Sequence, residues 1–111
     1  MIESYNELYE AVTSAIDSYM KKNESSEIIF GKNENESCFI SNKQNGNKLV
    51  FMFARYGEEF KVGFALYVTD PYGGMSSGPE WVQDSFSHCF TEEFIHILID
   101  DHLIKEYKQD W

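Results

Sequence analysis

Apolar residues recur at spacings of three and four near the start of the chain: Tyr5, Leu8, Val12, Ile16 and Tyr19/Met20. That period gives a helix over residues 4–22 one apolar face. Ser4-Tyr5-Asn6-Glu7 fits a capping box, with Ser4 accepting from the first turn and Glu7 reaching back. Residues 23–26 end the helix.

The period then changes to two. Residues 27–31 read as a short edge strand, and 36–41, 49–55 and 60–69 as three more. Asn45-Gly46 between the second and third is a strong hairpin signal, because both residues tolerate positive φ. Gly57-Glu58-Glu59 marks the next turn. The last strand alternates cleanly, with Phe60, Val62, Phe64, Leu66 and Val68 on one face and Lys61, Gly63, Ala65 and Tyr67 on the other. One face should meet helix and the other should be thinly covered or open.

Residues 70–79 read as a long loop, and Pro79-Glu80-Trp81-Val82 as the start of a short helix with Pro at its first position. Thr91 caps a final helix over 91–107, with Glu92 and Glu93 in its first turn, where the helix dipole favours acid. Ile95, Leu98, Ile99, Leu103 and Tyr107 form its stripe, widened by Phe94, Ile97 and Ile104. The pattern predicts one α+β domain over residues 1–111: two layers, an antiparallel sheet of about four strands, and an N-terminal and a C-terminal helix.

Composition makes a real core feasible, at 42% hydrophobic and 16% aromatic residues. Charge changes the picture more. The net charge is −10, and no lysine or arginine occurs between Lys61 and Lys105. That stretch holds seven carboxylates: Asp70, Glu80, Asp84, Glu92, Glu93, Asp100 and Asp101. It also carries Tyr67, Tyr72, Trp81, Phe86, Phe90 and Phe94. A one-signed field over aromatic ground attracts a basic protein partner and speeds encounter. It argues against nucleic acid and anionic membrane, which need concentrated Lys and Arg. The acidic N-terminus lacks the basic and apolar regions of a secretory signal, so a cytoplasmic location is expected.

Candidate chemistry is sparse. Gly31-Lys32 and Gly73-Gly74 lack the setting of a phosphate loop. His96 and His102 are six residues apart and do not stack on one helical face, and adjacent His88 and Cys89 point apart. No metal and no cofactor is expected. Cys38 and Cys89 are expected to be free thiols in the interior. Phe60, Phe64, Phe86 and Phe94 read as core.

The expected partner surface is Asp70, Tyr72, Glu80, Trp81 and Asp84. Glu92, Glu93, Asp100 and Asp101 of the last helix are its acidic extension. With Tyr72 and Trp81 beside Glu80 and Asp84, and with no catalytic motif, the chain resembles the small acidic bacterial immunity proteins of contact-dependent and polymorphic toxin systems. The resemblance implies a non-enzymatic protein that binds a cognate toxin domain, often a basic nuclease, and covers its active site or an exosite. The alternative is a phage-type nucleic-acid mimic that blocks a restriction or CRISPR effector. A small ligand-binding domain or enzyme is a third class, disfavoured by the lack of a nucleophile or acid–base pair.

Overall fold

Ser4 sits in extended backbone, and its Oγ accepts from the Glu7 amide at 3.2 Å, which starts α1 (Tyr5–Lys22). The return half of the capping box differs from expectation: the Ser4 hydroxyl donates to the Glu7 carboxylate at 3.3 Å. The computed structural model describes residues 2–23, 27–44, 46–68, 79 and 81–104. After α1 come β1 (Ile28–Lys32), β2 (Cys38–Asn42), β3 (Lys48–Tyr56), β4 (Glu59–Tyr67) and β5 (Trp81–Phe86). A 3₁₀ turn (Ser87–Cys89) leads to α2 (Glu92–Leu98), which continues as a π-helical turn over Ile99–Leu103.

The five strands form one antiparallel meander in the order β1-β2-β3-β4-β5. The α+β class and the two helices agree with the sequence pattern, and the fifth strand corrects it. Trp81 and Val82 belong to β5 rather than to a short helix. The reason is that β5 shows no apolar–polar alternation. Its inward residues Trp81, Gln83 and Ser85 reach only the rim of the core, while Val82 and Phe86 face outward and are exposed.

The core lies between one sheet face and the two helices. Cys38 and Ile40 of β2, Leu49 and Phe51 of β3, and Val62, Phe64 and Leu66 of β4 are buried there, on alternate positions as strand geometry requires. Leu8, Val12, Ala15, Ile16 and Tyr19 of α1 and Ile95, Leu98, Ile99 and Leu103 of the last helix meet them. Phe90 packs edge-on against Phe51, and Phe94 against Phe64. Phe60 and Phe94 are half-buried, and Phe86 stands exposed on the opposite face, stacked on His88. Phe86 is therefore not core: it sits on the outward side of an edge strand.

Polar ties fix the layers. Tyr5 of α1 donates to the Phe53 carbonyl at 3.1 Å, Tyr9 donates to the Glu36 carbonyl, and Ser87 donates to the Ile2 carbonyl. Buried Asn42 joins three parts of the chain. Its Nδ2 donates to the Leu103 carbonyl at 3.1 Å, and its Oδ1 accepts from the Gln44 amide at 3.0 Å. Its backbone closes the β2–β3 hairpin by bonds with Asn47 and Gly46, the latter at φ +77°. Asn45 lies outside the described residues, as does Tyr107.

Substitutions at two positions test this packing. Asn42→Ala removes both side-chain bonds and should lower unfolding stability by about 2 kcal/mol. Asn42→Asp should cost more at neutral pH, because a carboxylate offers no donor to the Leu103 carbonyl, and the gap should narrow in acid as the added carboxyl protonates. Gly31→Ala puts a Cβ 2.3 Å from the tip of the Phe39 ring, which lies on the sheet face away from the helices and can swing aside, so it should cost about 1 kcal/mol or less. Urea unfolding of each variant, at two pH values for the Asn42 pair, supplies the check.

Candidate functional site

Among the described residues, the outward surface of the helical layer is the most strongly charged. Glu3 precedes α1, and Glu7, Glu10 and Asp17 follow on it at spacings of four, three and seven residues. These spacings keep Glu7, Glu10 and Asp17 on one side of α1, with Glu3 just before its cap. Glu92 and Glu93 occupy the first turn of α2, and Asp100 and Asp101 its π-helical end. All eight carboxylates are exposed, against only Lys21 and Lys22 among the described residues of this layer. Across residues 27–68, the five acidic and five basic side chains cancel. Among the described residues, then, the excess negative charge lies mainly on the helical layer.

Contacts show that the two helices run in the same direction: Ile2 meets Ser87, Ala15 meets His96, and Tyr19 meets Asp100. A shallow groove between them is bordered by Glu10, Asp17, Lys21, Lys22 and Glu92. Its floor is rigid. His96 approaches the Ala15 carbonyl at 2.9 Å and meets the Tyr19 ring edge-on. The Tyr19 hydroxyl donates to Asp100 at 2.6 Å, and burial, then that bond, pushes its pKa well above the ordinary 10.0.

The residues singled out from sequence divide between two surfaces. Glu92, Glu93, Asp100 and Asp101 lie on the helical layer, joined by Glu3, Glu7, Glu10 and Asp17, which the sequence reading passed over. A helical period applied to acidic residues, as it was to apolar ones, picks out that stripe. Asp84 lies on the outward face of β5, away from the helices. Trp81 points the other way: it is half-buried, 5.3 Å from Phe64 and stacked at 4.2 Å on His102. It closes the rim of the core instead of standing in an exposed loop. Asp70, Tyr72 and Glu80 lie outside the described residues.

No group of three or more His, Cys, Asp or Glu with metal-binding geometry occurs among the described residues. His88 and His102 stack on Phe86 and Trp81, and His96 meets Tyr19 edge-on, so each imidazole serves a different aromatic contact. No helix among the described residues is long and apolar enough to cross a membrane. The two thiols differ: Cys38 is buried, but Cys89 is exposed, which corrects the expectation of two interior thiols. The 3₁₀ turn carries Cys89 outward while its neighbours Ser87 and Phe90 turn in. Burial pushes the Cys38 thiol up from 9.0 to about 12, against a small lowering by Lys32.

A thiol reagent should therefore titrate one cysteine in the native protein and two in denaturant, with Cys89→Ser removing the native reaction. The raised pKa of Cys38 favours the neutral thiol in the fold. Its contribution to stability is intact below pH 9.0 and is lost as pH rises toward about 12, at up to about 1.4 kcal/mol per pH unit. Urea midpoints across that range should fall, and less steeply in Cys38→Ala.

No protein-family model matches the chain, and no curated protein or solved structure matches it.

Proposed function

We propose that this protein is an acidic binding protein that neutralises a basic partner, of the toxin-inhibiting kind that its sequence resembles. The observation that carries the reading is the segregation of charge: eight exposed carboxylates and two lysines on the helical layer, over a scaffold whose remaining described charge nearly cancels. Such a field accelerates approach of a positively charged surface and orients it toward the helices. A nuclease domain binds phosphates through a basic groove. Carboxylates on adjoining helices compete for such a groove and would cover an active site or exosite. The Tyr19–Asp100 bond and the His96 contact hold the helices together, so the charged surface is preorganised and little order is lost on binding.

The experiment is retention of partners from source cells, their identification, and surface binding of the purified partner at low and high salt. The expected partner is a single basic protein. Glu7→Lys, Glu10→Lys and Glu92→Lys should each slow association several-fold, with the effect shrinking as salt rises. Retention of many nucleic-acid-binding proteins would favour the phage-type mimic. Unchanged association for all three folded variants would remove the helical face from the interface and this function with it.

A further inference from the structure

The face of the sheet opposite the helices has a character of its own. Ile29 of β1, Phe39 of β2, Val50 and Met52 of β3, and Val82 and Phe86 of β5 point outward there. Met52 is 49% exposed, Val82 65% and Phe86 42%. Among the described residues no element lies over this face. Its charged residues are Lys48 and Lys61 against Glu59 and Asp84, so it is neutral. Both lysines lie over rings of the same face, Lys48 at 4.0 Å from Phe39 and Lys61 at 4.9 Å from Phe86. Their stems thereby add apolar cover. Contiguous apolar surface of this kind marks an interaction site.

The glycines supply an independent observation. Gly46 and Gly57 have positive φ, and Gly31 makes room for the Phe39 ring. Gly63 has neither reason. Its φ is ordinary, and an added Cβ would meet nothing closer than the Met52 carbonyl oxygen at 3.9 Å. A strand glycine without an internal cause weakens the strand, and it marks a place where another surface approaches closely. With Ala65 it leaves a low strip along β4, between the ridges of Val50 and Met52 on β3 and of Val82 and Asp84 on β5.

We propose that this face is the interface between two copies of this chain, packed sheet to sheet. Charge selects the occupant. Two molecules of net charge −10 repel through their helical layers and can approach only through a neutral face. The face also complements itself. The row Gly31–Phe39–Val50–Ala65–Val82 crosses all five strands. A twofold axis along β3 returns this row in reverse order. It then sets Phe39 of each copy against Ala65 of the other, beside the space over Gly63. Strand spacing and rise give a patch of roughly 500 Å² per copy, or about 1,000 Å² in all, which suits a weak, concentration-dependent dimer.

Sedimentation equilibrium from low micromolar to near-millimolar protein tests the proposal, with urea unfolding of each variant alongside. The parent should shift from monomer to dimer over that range. Gly63→Val should raise the dissociation constant about tenfold or more while leaving fold stability unchanged or higher, an outcome that a merely structural glycine would not produce. Val82→Asp and Met52→Asp should also dissociate the dimer. Glu7→Lys, on the acidic face, should leave it intact, so this result stands or falls separately from partner binding. A parent that stays monomeric overturns the proposal. So does a dimer indifferent to both Gly63→Val and Val82→Asp, and so does a monomer that binds neutral lipid vesicles through Val82 and Met52.

Discussion

A five-stranded sheet has two faces, and the two helices here pack against one of them. Everything else in the molecule follows from that one-sided packing. The buried face collects the aliphatic and aromatic residues of β2, β3 and β4 against α1 and the last helix. The helices turn their remaining surface outward, and that surface carries the acid. The other face of the sheet receives no cover from any described element, and it is apolar and neutral. One architecture thus presents two unlike surfaces on opposite sides: a charged one that suits attraction at a distance, and an uncharged one that suits close packing.

The polar contacts serve this arrangement. Tyr5, Tyr9 and Tyr19 pack their rings at the core and donate the hydroxyl to β3, to the β1–β2 turn and to the last helix respectively. Aromatic side chains with a polar tip are well suited to such seams. Asn42 does the same from the sheet, linking the β2–β3 hairpin to the end of the last helix. The π-helical turn has a related effect. With Ile104 bonded back to Ile99 at 2.9 Å, the turn is widened by one residue. Leu98, Ile99 and Leu103 all point inward as a result, and His102 comes to rest on Trp81.

The helices and β4 were legible because each has one wet and one dry side, whereas β1, β2 and β3 carry apolar residues on both faces and were legible from β-rich runs bounded by turn signals such as Gly46 and Gly57. In the helices and β4, period 3.6 and period 2 are written directly into residue type, as in Leu8, Val12 and Ile16 or in Val62, Phe64 and Leu66. β5 was not legible for the same reason inverted. At the sheet edge, Gln83 and Ser85 lie on the core side but only at its rim, while Val82 and Phe86 lie on an uncovered side that is itself apolar. Hydrophobicity does not report the inward direction there. The place of Trp81 is hidden with it, since its role as a cover for Phe64 and His102 needs the strand and the last helix together.

The acidic surface shows the division most clearly. Sequence by itself determined that the protein is strongly acidic, that it has the periods of a helix–sheet–helix chain, and that Glu92, Glu93, Asp100 and Asp101 ride on the last helix. It also determined that β4 alternates, so that one side of the sheet had to meet helix. Only the tertiary structure decided which carboxylates share a face. It joined Glu3, Glu7, Glu10 and Asp17 to the last helix across some eighty residues of chain, and it sent Asp84 to the opposite side. Charge along a sequence adds up over neighbours in the chain, whereas a field adds up over neighbours in space. Packing the first helix beside the last made those two sums different.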